Sequence, residues 1–126
     1  VSIIFFDIDG FKQINDTYGH NLADTVLIDL AQLTKNSIRA TDQVGRWGGE
    51  EFLIVLTQTN LEQAATAAVH LKDRIENFKF QINQTVTCSF GVTQLEDNDT
   101  PNSALTRVDN LMYYVKKHGK NGVKVG

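Results

Sequence analysis

Two acidic clusters in this 126-residue chain have the residue types and spacing for chemistry on a charged ligand. The first is Asp7-Ile8-Asp9-Gly10, at the end of an apolar run. The second is Gly48-Gly49-Glu50-Glu51, set between Arg46-Trp47 and the apolar run Phe52-Leu53-Ile54-Val55-Leu56. Carboxylates at a rigid bend suit Mg²⁺, a hard ion that takes oxygen ligands in octahedral geometry and keeps waters and phosphates as co-ligands. The paired glycines predict a two-residue hairpin turn with φ > 0, and they leave bare backbone for a phosphate to approach. If the first strand lies beside the hairpin strand, Asp7 and Glu50 come from adjacent strand ends. One carboxylate from each is the usual protein share of a metal-assisted phosphoryl-transfer site. The bland readings are a surface hairpin with solvated glutamates, and Asp9 as a helix N-cap with Asp7 in solvent.

Other polar residues fit the same chemistry less specifically. Lys12 can reach a phosphate as a point charge, or can simply be solvated. Asn15 and Asp24 can read a purine edge: a carboxylate accepts from N1–H and N2–H₂ of guanine, whereas adenine offers it acceptors. Lys116 and Lys120 flank a helix C-terminus, where they can clamp a terminal phosphate or merely complement the helix dipole. Arg39 and Asp42 have the spacing of a local ion pair. Cys88 lies on the apolar side of a strand and reads as a small core residue. The three histidines, His20, His70 and His118, have no zinc-ligand spacing among them.

These residues need elements to position them. Residues 2–6 read as a strand buried on both faces. Residues 11–18 predict a short helix stopped by Gly19, and residues 22–39 a longer one with Leu22, Val26, Leu27, Leu30, Leu33 and Ile38 inward. Residues 43–47 and 52–56 form the hairpin. Leu61, Ala64, Ala65, Ala68, Leu71, Ile75 and Phe78 predict a helix over residues 61–77. Residues 85–93 alternate as a half-buried strand, with Val86, Cys88, Phe90 and Val92 inward, and residues 78–82 are a candidate partner strand. A last helix over 103–118 and a closing strand over 123–125 complete a β-α-α-β-β-α-β-α-β order. That order argues for one α/β sandwich with at least one antiparallel pair.

Composition narrows the class. At 41% hydrophobic and 21% charged residues, the chain is long enough for one domain with a real core. A net charge of -3 offers no basic footprint for nucleic acid or an anionic membrane. One cysteine excludes an internal disulfide. No apolar run approaches the ~20 residues of a membrane span. Val1 opens directly in a strand-like run without a methionine, so the chain reads as a piece of a longer protein.

Taken together, Phe6-Asp7-Ile8-Asp9-Gly10-Phe11-Lys12-Gln13-Ile14-Asn15-Asp16, Tyr18-Gly19-His20, Asp24 and Arg46-Trp47-Gly48-Gly49-Glu50-Glu51-Phe52 resemble the GGDEF family of diguanylate cyclases. Glu50 stands where the name motif has Asp. Thr87-Cys88-Ser89-Phe90-Gly91-Val92 is similar to the family's T-x-S-x-G-V strand. Asp109 to Asn121, with Tyr113, Lys116, Gly119 and Lys120, is similar to its closing A-D-x-x-L-Y-x-A-K-x-x-G-[RK]-N helix. Ala23, Trp47, Val108 and Val115 depart from the usual residues. The family's opening D-x-L-T-G-L-x-N-R-R stretch has no counterpart, so the resemblance implies that residues 1–126 are an N-terminally truncated GGDEF domain.

The resemblance implies an α+β fold: a ferredoxin-like, nucleotidyl-cyclase palm-like sandwich with a central, mainly antiparallel sheet flanked by helices. It implies a homodimeric, Mg²⁺- or Mn²⁺-dependent enzyme condensing two GTP into cyclic di-GMP and two pyrophosphates. Asp7, Glu50 and the Ile8 carbonyl would hold metal. Gly48, Gly49 and Glu51 would complete the catalytic turn. Asn15 and Asp24 would read guanine, with Phe11 beside them. Lys12, Lys116 and Lys120 would hold phosphates. Arg39 and Asp42, at the family's R-x-x-D spacing, imply an inhibitory cyclic di-GMP site, in which His70 falls where a second arginine is common, with Lys72 and Arg74 nearby. A cytoplasmic domain under an upstream sensor or regulatory domain is expected, with attachment to a membrane-bound sensor left open. The alternative function is a catalytically inactive module that binds cyclic di-GMP or GTP; intact Asp7 and Glu50 favour the enzyme.

Overall fold

The computed structural model describes all 126 residues. Its centre is β1 (Ser2–Ile8), whose apolar run has a neighbour on each edge. β1 pairs antiparallel with β3 (Glu51–Leu56) on one side and with β4 (Cys88–Gln94) on the other. β2 (Gln43–Arg46) pairs antiparallel outside β3, and β5 (Gly122–Val125) pairs parallel outside β4. The sheet order is β2-β3-β1-β4-β5. The first four strands, with α1 (Phe11–Ser37) and α2 (Leu61–Asn77), make the βαββαβ core of a ferredoxin-like fold. The architecture is α+β, as the resemblance implies.

Strand alternation divides the core. Ile4, Phe6 and Ile8 face α1 and α2, together with Phe52, Ile54, Phe90 and Val92. Ile3 and Phe5 face α3 (Pro101–Lys117), meeting Ala104, Val108 and Met112. Phe6 stacks on Phe52 at 5.3 Å and on Phe90 at 4.7 Å between ring centroids. Such pairs contribute about 0.5–1.5 kcal/mol each beyond their buried area. This three-strand ladder lies one residue before Asp7 and fixes the end of the sheet where the acids emerge. α2 and α3 start at capping boxes, Asn60 with Gln63 and Thr100 with Ser103, which set where each helix meets the sheet.

Several expectations need correction. The two helices over 11–18 and 22–39 run on as α1, bent at Gly19, whose backbone (φ 85°, ψ 167°) is non-helical, and α1 ends at Ser37. Leu22 and Phe78 are exposed rather than inward. Residues 78–82 form no strand, although Phe80 and Ile82 are buried. β4 is buried on both faces, because α3 covers the Ser89, Gly91 and Thr93 side that reads as solvated from the alternation.

Gly91 is where α3 comes closest. A Cβ there would press into the Val108 carbonyl and lie 2.7 Å from Met112 N, both backbone atoms. Gly91→Ala is therefore expected to push α3 off the sheet and cost about 1–3 kcal/mol, read as a lower urea midpoint at unchanged slope. An unchanged midpoint would mean that α3 can move without loss.

Candidate active site

The pairing Asp7↔Glu51 brings the two acidic clusters to one end of the sheet. Glu50 stands next to that pair, close enough for its charge to act on Asp7. Asp7 is pushed up to about 6 by burial, against the lowering effect of the Lys116 ammonium, and Glu50 and Asp9 add to the rise. Burial, Asp109 and Glu50 also raise Glu51. The sheet end thus gathers negative charge that only Lys116, reaching over from α3, offsets. The Lys116 Nζ contacts Asp7 Oδ1, lies 3.0 Å from Asp9 Oδ1 and donates to the Ile8 carbonyl at 3.2 Å.

Asp9 does not take the N-cap role that the sequence offers. Gly10 is the N-cap of α1 and no side chain caps that helix, so Asp9 is not a cap. Its carboxylate accepts from Thr87 Oγ1 at 2.8 Å, Ser89 Oγ at 2.6 Å and the Asn121 N–H at 2.9 Å, besides Lys116. Burial pushes this carboxyl up, but the hydroxyls of Ser89 and Thr87 and the Lys116 ammonium outweigh it and hold Asp9 below its usual range. One carboxylate therefore clips β1, β4, the end of α3 and the entry to β5 together. The turn it holds is unusual: Gly119, Lys120 and Asn121 all have positive φ, at 105°, 59° and 46°. Two non-glycine residues in the left-handed region persist only where their surroundings fix them, and the Asn121 N–H bond to Asp9 does that. Asn121 Nδ2 also reaches Glu76 Oε2 on α2 at 2.9 Å.

The hairpin differs from the expected tight turn. Residues 47–50 connect β2 and β3, and neither Gly48 nor Gly49 has positive φ. The Glu51 carbonyl accepts from both Trp47 N at 2.8 Å and Gly48 N at 3.4 Å, and Arg46 Nε donates to the Gly49 carbonyl at 2.8 Å. The wider turn is braced by Arg46, so the glycines serve space rather than φ. A Cβ at Gly48 would press into the Glu51 carboxylate, while Gly49 has open space before it.

Lys12, Asp24 and Lys120 are exposed, and their side chains make no hydrogen bond or ion pair. Phe11 packs against the main core beside the first turn of α1. Asn15 Oδ1 is buried with no partner, an uncommon state for an amide oxygen. The structure thus joins Asp7, Ile8, Glu50, Glu51 and Lys116 at one point. Asn15 lies on the α1 segment that follows directly, and the three exposed side chains stay free.

Arg39 and Asp42 come together elsewhere. Arg39 Nε and Nη2 each donate to Asp42 at 3.0 Å, and Nη2 also donates to the Thr57 carbonyl at 2.6 Å and to Thr59 Oγ1 at 2.7 Å. Thr57 follows β3 at the Ser2 end of β1, five residues or roughly 17 Å along the strand from Asp7. A cavity of about 270 Å³ beside the pair is lined by Ser37, Leu56, Gln63 and Ala67 among others, and His70 does not line it. Of the basic residues on α2, Arg74 reaches this end of α1, donating to Ser37 Oγ at 2.6 Å. Lys72 pairs within α2 with Asp73 and Glu76.

Sequence reasoning missed Thr87, Ser89 and Asn121 as partners of Asp9. The signal was there: Thr87 and Ser89 alternate with core residues at the register of the β1 acids.

A family model described as "Diguanylate cyclase, GGDEF domain" matches residues 1–122. The bifunctional diguanylate cyclase/cyclic di-GMP phosphodiesterase MucR of Pseudomonas aeruginosa is 35% identical over 125 residues, covering 96% of this chain and 18% of MucR. Diguanylate cyclase DgcM of Escherichia coli K12 is 37% identical over 122 residues, covering 97% of this chain and 30% of DgcM. The chain spans less than a third of either relative. The solved active GGEEF domain of a diguanylate cyclase from Vibrio cholerae superposes with a TM-score of 0.91 at 36% identity, over 98% of this chain and 81% of that one. By the whole-chain family match, and by the carboxylate-bearing strand ends and braced glycine turn that accompany it, this chain belongs to the GGDEF family of diguanylate cyclase domains.

Proposed function

We propose that this chain is the catalytic domain of a diguanylate cyclase. Each domain binds one GTP with Mg²⁺ (or Mn²⁺), and two facing domains join two GTP into cyclic di-GMP. The observation that carries this reading is the β1–β3 register, which pairs Asp7 with Glu51 and so brings Glu50, the next residue, to the sheet end where Lys116 meets Asp7 and the Ile8 carbonyl. In each half-reaction the 3′-oxygen of one GTP bonds to the α-phosphorus of the other. The bond from that phosphorus to its bridging oxygen breaks, pyrophosphate leaves, and the hydroxyl proton passes to solvent. One domain presents one nucleotide, so a homodimer forms at least transiently.

The donor set fits a hard divalent ion: two carboxylates and one carbonyl, all oxygen. No three His, Cys, Asp or Glu side chains gather as a ready cage, so triphosphate and water oxygens would complete the coordination. When bound, such an ion lowers the pKa of the attacking hydroxyl and neutralises charge developing on the phosphate. The chain's own residues do the positioning. Asp7, Glu50 and the Ile8 carbonyl hold the ion. Lys12, Lys116 and Lys120 hold phosphates. Asn15 and Asp24 orient guanine, whose N–H would satisfy the orphaned Asn15 oxygen. Gly48 and Gly49 leave room for the ribose and α-phosphate. Regulatory input is assigned to parts of the parent protein outside this chain; within it, no helix is long and apolar enough to cross a membrane. The direct test is incubation of the parent protein with GTP and Mg²⁺ and chromatography of the nucleotides. Failure to form cyclic di-GMP would overturn the reading.

A pH dependence follows from Asp7. Its carboxyl sits at about 6, and a protonated carboxyl does not hold a cation. Mg²⁺-dependent affinity for a non-reactive GTP analogue is expected to fall as pH drops through about 6, by up to about tenfold per unit below it. Calorimetry between about pH 7.5 and about pH 5 reads this. A flat profile would remove Asp7 from the ligand set.

Product inhibition through Arg39 and Asp42 belongs to the same proposal. The Arg39 side chain is 57% exposed while Asp42, Thr57 and Thr59 hold its guanidinium in place, a pre-formed donor for guanine or phosphate. Arg39→Ala is expected to raise the cyclic di-GMP concentration for half-inhibition by about tenfold or more. Unchanged inhibition, with a folded variant, would reject the site.

A further inference from the structure

Lys116 occupies oxygens that the proposed ion would need. Its Nζ contacts Asp7 Oδ1 and lies 3.2 Å from the Ile8 carbonyl and 3.0 Å from Asp9 Oδ1. The ammonium donates to the Ile8 carbonyl and to Asp9 Oδ1, and it forms an ion pair with Asp7. The three side chains are largely withdrawn from water, at 18% exposure for Lys116, 13% for Asp7 and 7% for Asp9. A lysine whose only task was to wait for phosphate would lie free, as Lys12 and Lys120 do. Asp7 and the Ile8 carbonyl are the oxygens assigned to the ion, and an ammonium and a divalent cation cannot share them.

Asp9 decides where Lys116 goes when it leaves them. Thr87 and the Asn121 N–H take up Oδ2, and Ser89 with Lys116 itself takes up Oδ1. With Lys116 in place the four acceptor positions of the carboxylate are filled, and three of its donors hold it anchored whatever happens at Asp7.

We propose that Lys116 is the internal counter-ion of Asp7 in the nucleotide-free domain, and that the divalent ion enters by displacing it, handing the lysine to the triphosphate. This rests on the reading of Asp7 as an ion ligand. Asp9 is then a positioning residue that keeps Lys116 at the site during the exchange. The ion alone binds weakly, because it must evict a cation. Ion and triphosphate bind cooperatively, because the triphosphate supplies oxygens for the ion and a new partner for the lysine.

Mn²⁺ alone, without nucleotide, is the probe, titrated against the full chain and read by the electron paramagnetic resonance of free Mn²⁺. Lys116→Met and Lys116→Gln, two neutral variants in case one folds poorly, are expected to bind Mn²⁺ about tenfold or more tighter than the wild type. Lys116→Arg keeps the charge and is expected to stay near wild-type affinity. Lys117→Met controls for bulk charge: its ammonium lies over the Tyr113 ring, 4.9 Å from the centroid, away from the carboxylates. It is expected to change affinity by less than about threefold. The GTP analogue with Mg²⁺ is expected to move the other way, binding more weakly to the neutral Lys116 variants. Equal Mn²⁺ shifts in the Lys116 and Lys117 variants, no shift, or no Mn²⁺ binding by any protein would overturn the proposal. A parent enzyme that makes cyclic di-GMP with unshifted Mn²⁺ affinity loses only the counter-ion; one that makes none loses the cyclase reading itself.

Discussion

Glu50→Gln is expected to cut cyclic di-GMP formation by the intact parent enzyme about a hundred- to a thousandfold. Glu50 is half-buried one residue before β3, beside the raised carboxyl of Asp7. Glutamine keeps its volume and loses its charge. Two carboxylates would then become one, too little protein charge to fix a divalent ion against the competing Lys116 ammonium. The loss should fall mainly on kcat, because the electrostatic demand is greatest when negative charge moves onto the leaving pyrophosphate. The fold has no stake in the change: the Glu50 side chain makes no hydrogen bond, and the hairpin is braced by Arg46 and the Glu51 carbonyl. Stability should therefore stay within about 0.5 kcal/mol. Initial rates by chromatography with a thermal melt of the same sample separate the two effects. Undiminished product would remove Glu50 from the reaction.

How far the sequence discloses this protein depends on which physical signal carries each feature. Element type and order were legible, because helices at 3.6-residue spacing and apolar strands differ in period. That Asp7 and Glu50 come from adjacent strand ends was legible too, given only the adjacency of β1 and β3 that the pairing now shows. The failures share a cause, which is tertiary cover. Residues 85–93 alternate like a strand with one wet face, but α3 closes over Gly91 and dries it. That same burial turns Thr87 and Ser89 from surface hydroxyls into fixed donors to Asp9. No local pattern announces a bond across 78 residues, nor one across 112 to Asn121. The hairpin misleads for a different reason. Gly-Gly is read as φ > 0 by default, whereas here Arg46 braces a wider turn and the space at Gly48 belongs to Glu51. His70 and Arg74 share one face of α2, a turn apart, and it is Arg74 whose longer side chain reaches Ser37.

Asp9→Ala is expected to destabilise the domain by about 3–5 kcal/mol, the range for breaking a buried charge network by removing one partner. The alanine leaves Thr87 Oγ1, Ser89 Oγ and the Asn121 N–H without their acceptor in a largely dry site, and Lys116 without one of its two anions. It also frees the left-handed Lys120–Asn121 backbone, so α3 and β5 should loosen first, ahead of the β1–β3 pair. Asp9→Asn keeps one acceptor and should fall between the two. Acid separates this role from that of Asp7. Asp9 is held below its usual range, so its contribution is complete above the unfolded value of about 4 and is lost as pH falls through the lower folded value. Asp7 runs the other way: its folded value of about 6 is raised, so its buried charge costs stability above that pH and the cost is relieved as pH falls toward about 4. Urea unfolding of wild type and Asp9→Ala should therefore show a gap that holds from about pH 7 to about pH 5 and closes only below about pH 4. A gap already closing between about pH 6 and about pH 5 would assign the buried linkage to Asp7 and leave Asp9 as a replaceable polar contact.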